Sequence, residues 1–114
     1  MTSLLQVEFQ NTPPIEKVEF RIRRELAELE KFYSRLVSCR VQVELPEHKR
    51  RGSITKVRID FGVPSQDVAT PPEVRAVTGT EHLQVAAEHQ DAVMAVHAAF
   101  NLARRRLEEF ARTA

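Results

Sequence analysis

The sequence predicts an α+β domain of two layers, β-α-β-β-β-α in element order, with a four-stranded sheet carrying both helices on one face. Three observations predict it. Four stretches alternate apolar and polar residues with a period of two. Two longer stretches place apolar residues at three- and four-residue steps. One helical stretch separates the first strand from the other three, and the second follows the last strand. The length of 114 residues suits a single domain spanning 1–114, since one core is usually complete at about 100–150 residues.

The first strand is read from Leu5, Val7 and Phe9, which alternate with Gln6, Glu8 and Gln10. Asn11 and Thr12 then precede Pro13-Pro14, and proline suits a first helical turn because the N–H it lacks would be unpaired there. The first helix is therefore expected to begin about here and to end near Ser34, with Ile15, Val18, Ile22, Leu26, Leu29 and Tyr33 as its apolar stripe. Val37, Cys39, Val41, Val43 and Leu45 alternate without a break and make the most legible strand, which places Cys39 toward the core. Residues 46–53 have the polarity and turn residues of a hairpin connection, leading to an antiparallel third strand through Val57, Ile59, Phe61 and Val63. Between Pro64 and Thr80 periodicity is lost and a long loop is expected, opening on a short strand around Val68. Leu83, Val85 and Ala87 mark the fourth strand, and Asp91 is placed to cap a second helix running to about Arg112. Val93, Val96, Phe100, Ala103, Leu107 and Phe110 form its stripe. Met94, Ala95, Ala98 and Leu102 lie off that stripe, and the long loop is expected to cover them. The sheet face bearing Arg40, Gln42, Glu44, Lys56, Arg58 and Asp60 is left to solvent.

Composition narrows the class of protein. Hydrophobic residues at 42% and charged residues at 29% are those of a soluble globular chain. The net charge of +1 removes any bulk electrostatic case for polyanion binding, so such a case must rest on where the charges sit. Among 17 basic residues only Lys17, Lys31, Lys49 and Lys56 are lysines, and the arginines that make up the rest have a planar fork suited to phosphate and to stacking. One cysteine allows no internal disulfide. The opening Met1-Thr2-Ser3-Leu4-Leu5 has neither a basic segment nor the apolar run of a signal peptide, and no stretch approaches membrane-spanning length, so a cytoplasmic protein without membrane contact is expected.

Catalytic and metal chemistry find little support. His82, His89 and His97 lack the i, i+4 spacing of a helical metal pair, and Cys39 is assigned to the core, so no metal is expected and the histidines read as surface residues. No G-x-S-x-G element is present, and 3 glycines cannot build a phosphate-cradling loop. The chain reads as neither an enzyme nor the holder of a cofactor or small-molecule substrate.

The basic residues gather on three elements. Lys17, Arg24 and Lys31 recur at seven-residue steps on the outer side of the first helix, with Phe20 between the first two, where an exposed aromatic can stack on a base. Arg104, Arg105, Arg106 and Arg112 crowd the end of the second helix, more charge than the helix dipole accounts for. His48, Lys49, Arg50 and Arg51 form a run in the hairpin connection. Taken singly, each group fits ordinary surface chemistry. A two-layer domain can bring their elements to one side.

The run Arg21-Ile22-Arg23-Arg24-Glu25-Leu26-Ala27-Glu28-Leu29-Glu30-Lys31-Phe32-Tyr33-Ser34-Arg35-Leu36, followed by Ser38-Cys39-Arg40-Val41-Gln42-Val43-Glu44, resembles the ribosome hibernation-promoting factor and ribosome-associated inhibitor family, also called the sigma-54 modulation family. The resemblance continues through His48, Gly52, Val57-Arg58-Ile59-Asp60 and Val63-Pro64, then resumes at Asp91, Ala95-Val96 and Arg105-Arg106-Leu107-Glu108. It implies a fold like that of double-stranded-RNA-binding domains. It also implies binding to 16S ribosomal RNA of the small subunit, where messenger and transfer RNA would lie, idling ribosomes in stress or stationary phase. No DNA partner is implied.

Carried over by position, Arg105 matches the family's basic position on the second helix, and Arg21, Arg23 and Lys31 match positions on the first. Arg24, Lys49, Arg50, Arg51, Arg104 and Arg112 join the expected RNA-binding set on charge placement. The chain departs from the family at Val93, where an aromatic is frequent, and in the length of the 64–80 loop; ending at Ala114, it reads as a short form. The alternative is a non-enzymatic interaction module that binds a protein through the open sheet face.

Overall fold

The computed structural model describes residues 4–46, 53–64 and 79–112. Its elements are β1 (Leu4–Gln10), α1 (Glu16–Phe32), β2 (Ser38–Glu44), β3 (Thr55–Pro64), β4 (Thr80–His89) and α2 (Ala92–Arg112), the order expected from the sequence. The expected short strand at Val68, and the hairpin run of Lys49, Arg50 and Arg51, lie outside the described residues.

The sheet has the order β1-β2-β3-β4. β1 runs parallel to β2, which requires a crossover, and α1 supplies it. The other two pairings are antiparallel. Val7, Val41, Ile59 and Val85 occupy one row across the four strands, all on the face beneath the helices. Alternation in the strands becomes burial: Val41, Val43, Val57, Ile59 and Phe61 are 0% exposed, and Ile22, Val96 and Leu107 from the helices are buried equally. At about 1.5–3 kcal/mol for each fully buried side chain, this contact outweighs any surface charge pair.

α1 starts later than the proline signal suggests. Each proline pushes the residue before it toward extended backbone, which keeps Thr12 and Pro13 out of the helix, and Ile15 is the cap in β conformation (φ −108°). Ile15 has no side-chain cap, but its carbonyl accepts from the N–H groups of Val18 and Glu19 at 3.0 Å, and Glu16 and Glu19 place negative charge at the positive end of the helix. The helix ends at Phe32, short of Ser34, where the Tyr33 N–H closes on the Leu29 carbonyl at 2.8 Å. Asn11 makes the turn between β1 and α1 at φ 67°, a left-handed conformation that asparagine tolerates, and its Nδ2 donates to the Leu45 carbonyl at 2.8 Å.

α2 opens as the sequence predicts. Asp91 Oδ1 accepts from the N–H groups of Val93 at 2.8 Å and Met94 at 3.3 Å. Val96, Phe100, Ala103, Leu107 and Phe110 are buried, and so are Ala95 and Ala99, which widen the stripe to fit close against the sheet. Ala95 thus belongs to the core. Met94 (46%) and Leu102 (37%) are exposed among the described residues, and the loop expected over them falls largely outside those residues. β3 and β4 stay paired up to Pro64↔Thr80. Near that end Gly62 permits a close approach, since a Cβ there would lie 2.7 Å from Ser38 Oγ and 2.9 Å from Thr80 Cγ2.

Two outcomes test this packing. Asp91→Ala removes the cap of α2 and is expected to cost about 1 kcal/mol in urea-induced unfolding; an unchanged midpoint would show that the cap contributes nothing. Cys39 is 1% exposed, and burial, with smaller contributions from Glu30 and Asp60, pushes its thiol up to about 12. A thiol-reactive dye at mildly alkaline pH should leave native Cys39 unmodified and label it at once in denaturant.

Candidate nucleic-acid interface

The two helices lie side by side and run in the same direction, because contacts advance together along both. Glu25 on α1 meets His97 on α2, with Nδ1 and Oε2 2.8 Å apart, and a turn or two further on the Arg104 guanidinium sits 4.8 Å above the Phe32 ring. Glu25 also accepts from Arg21 Nε at 2.8 Å, so one carboxylate, 15% exposed, joins a cation on its own helix to an imidazole on the other. The tautomer that fits carries its proton on Nδ1, donating to Glu25, while Nε2 accepts from Asn101 Nδ2 at 3.3 Å. Hydrogen bonds to charged groups contribute roughly 1.5–3 kcal/mol in such sheltered positions, enough to set the register between the helices.

This network sorts the expected RNA-binding residues. Arg21 is half-buried and turned toward α2, so part of its charge holds the helices together. Arg23 lies about 200° further round α1, on the flank away from α2. Arg24 and Lys31 are exposed opposite the buried stripe. Lys31 meets Glu28 at 3.3 Å, with both side chains about three-quarters exposed (74% and 73%), a pair too solvated to hold the lysine back from a stronger anion. On α2, Arg104 is placed over Phe32 with Glu108 at 3.8 Å, and Arg106 faces Glu109 at 3.8 Å. Arg105 and Arg112, seven residues apart, are exposed on the outer side of α2. No ion pair or side-chain hydrogen bond joins Arg23, Arg24, Arg105 or Arg112 to another described residue.

The helices bring Arg24, Lys31, Arg105 and Arg112 to one outer face. The described residues that flank the hairpin connection lie elsewhere. Leu45, just before it, bonds to the Gln10 carbonyl beside the start of α1, and Thr55, just after it, pairs with His89 beside the start of α2. The chain therefore enters and leaves the hairpin at the N-terminal end of the helices, and from Asp91 to Arg105 is about 21 Å of helix.

The opposite face of the molecule carries charges that answer one another. Arg40 Nη2 donates to Glu8 Oε1 at 2.7 Å and Gln42 Nε2 to Glu8 Oε2 at 3.0 Å. Asp60 receives Gln84 Nε2 at 3.1 Å and faces His82 Nδ1 at 3.2 Å. A shallow depression of about 240 Å³, lined by Leu4, Gln6, Ser38, Arg40, Asp60 and His82, lies between these groups. It holds the residue types of a serine hydrolase: His82 faces Asp60, and no hydrogen bond joins Ser38 to His82. Among the described residues no group of three or more His, Cys, Asp or Glu side chains is placed to hold a metal, and no helix is long and apolar enough to cross a membrane.

Sequence reasoning missed the Glu25–His97 bond and the Arg104–Phe32 stack. His97 reads as a surface histidine because no local pattern reports which residue of α1 lies beside it.

Comparison with known proteins gives the same architecture. The N-terminal domain of Protein Y from Thermus thermophilus superposes with a TM-score of 0.67 at 15% identity, covering 96% of this chain and 99% of that one. A ribosomal subunit interface protein from Coxiella burnetii superposes at 0.68 with 11% identity, covering 95% of this chain and 97% of that one. Both accord with the family resemblance read from the sequence, and at these identities the likeness is one of fold. No protein-family model matches the chain, and no curated protein sequence matches it significantly.

The Glu8 cluster has a testable pH signature. Hydrogen bonds from Gln42 and then Arg40 hold its carboxyl below the usual carboxylate range. A lowered folded pKa gives stabilisation that is present above the unfolded pKa and lost as pH falls through the folded one. Unfolding midpoints recorded down through the carboxylate range should therefore decline less steeply for Glu8→Gln than for the native chain. Superimposable profiles would remove Glu8 from the acid response.

Proposed function

We propose that this chain is a non-enzymatic, cytoplasmic ribosome-associated factor. It silences translation by occupying the 16S RNA of the small subunit where messenger and transfer RNA bind, under stress or in stationary phase. The observation that carries the proposal is the outer face of the helix layer, where Arg24 and Arg105, one on each helix, stand exposed with no ion-pair partner among the described residues. Arg112 extends that face and Arg23 flanks it. An RNA backbone supplies anions for these unpaired guanidinium groups, which on two adjacent helices can meet phosphates across a width one helix cannot span.

Three further points support the reading. The fold is shared with a protein described as a ribosomal subunit interface protein. The net charge of +1 suits recognition of one shaped RNA surface better than general attraction to polyanions. Catalysis is not required, since a domain in the decoding channel acts by exclusion. Lys49, Arg50 and Arg51 join the proposed contact on the strength of the sequence alone. The alternative, protein binding through the open sheet face, has against it that Glu8, Arg40 and Asp60 are already engaged there with one another's neighbours.

Sedimentation through sucrose tests the proposal. The native chain is expected to travel with small subunits at low salt and to be released at high salt, and Arg24→Glu/Arg105→Glu to stay at the top of the gradient. Removing one phosphate-binding cation should flatten the dependence of log affinity on log salt by about 0.9. Salt-insensitive association, or a double variant that sediments like the native chain, would overturn RNA binding by this face.

A further inference from the structure

The helix layer holds one aromatic ring that the fold does not use. Phe20 on α1 is 64% exposed, packs in no part of the core, and has no cation over its ring among the described residues. Phe32, also exposed at 42%, differs because Arg104 covers it. The neighbours of Phe20 on the helix surface are the residues three and four positions away, whose Cβ atoms lie about 5–6 Å off. They are Glu16, Lys17, Arg23 and Arg24, all exposed, and none of the three cations pairs with another described residue. A bare ring is thus framed by one carboxylate and three positive charges that are unpaired among the described residues.

An unpaired nucleotide complements that arrangement, because it joins a flat π surface to an anion within one flexible unit. We propose that Phe20 is a stacking site for an unpaired RNA base, with Lys17, Arg23 and Arg24 on the adjoining phosphates; this rests on the RNA-binding reading above and specifies the kind of RNA it takes. Duplex RNA does not fit, since its base faces are already stacked on one another. The two kinds of contact also differ in their response to salt. Stacking is insensitive to it, whereas each phosphate contact adds to the slope.

The chain contains no tryptophan, so Phe20→Trp places a single indole reporter at the site. Its emission should be quenched on titration with a single-stranded oligoadenylate and stay unchanged with an RNA duplex of equal length. Phe20→Leu, which keeps the helix and the charge, should bind small subunits and the single strand more weakly by roughly fivefold to 150-fold, with the salt slope unaltered. Lys17→Gln should instead flatten the slope on the single strand by about 0.7. If the native chain binds small subunits and Phe20→Leu binds them equally well, the stacking site is overturned while the RNA-binding reading stands; if the native chain binds neither subunits nor oligonucleotide, both fall. An indole that shifts to the blue on anionic phospholipid vesicles and ignores RNA would assign Phe20 to a lipid surface and overturn the inference.

Discussion

Burial of the inner faces of β2 and β3 beneath the two helices is the constraint on which the other features depend. Val41, Val43, Val57, Ile59 and Phe61 present a fully buried surface that one helix is too narrow to cover. Two helices must lie abreast on it, and every residue opposite their apolar stripes then falls on one outward face. Arg24 and Arg105, from opposite ends of the chain, come to share that face for a reason unrelated to charge. The function proposed here is in this sense a by-product of hydrophobic packing, and it survives only while the helices keep their relative register.

The register has its own determinant. Glu25, sheltered between the helices, accepts from Arg21 and from His97, so a charged group at the seam is satisfied by partners on both sides. Arg104 over Phe32 repeats the arrangement further along with a cation and a ring. Both contacts take basic residues out of the pool available to an outside anion. Arg21 and Arg104 are therefore better understood as holding the interface in shape, while Arg24, Arg105 and Arg112 face outward from it.

The two surfaces of the molecule contrast in how their charges are settled. On the sheet face, Arg40 and Glu8 stand on neighbouring strands, as do Asp60 and Gln84, and each carboxylate finds its donors within the sheet. On the helix face Lys31, Arg104 and Arg106 meet carboxylates, whereas Arg24, Arg105 and Arg112 have no ion-pair partner among the described residues. The net charge of +1 belongs to the whole chain and reports nothing of how its charges are paired. Composition alone conceals that division.

Much of this was legible in the sequence because it depends on local period. Alternation in Leu5–Phe9, Val37–Leu45, Val57–Val63 and Leu83–Ala87 and the three- and four-residue spacing of the helix stripes identified every described element, the buried side of each, the cap at Asp91 and the inward Cys39. The exposed position of Phe20 followed from the same spacing. Helix boundaries were less legible at Pro13-Pro14, where a proline suited to a first turn instead held its predecessors extended. Period also could not show that β1 pairs parallel to β2, that Ala95 joins the core, or that His97 and Arg104 turn toward α1. Those depend on which residues of distant segments stand opposite one another, and no short stretch of chain carries that information. The sequence by itself determined which residues are basic and which side of each helix they occupy; tertiary packing alone decided which of those charges are used inside the fold and which remain for a partner.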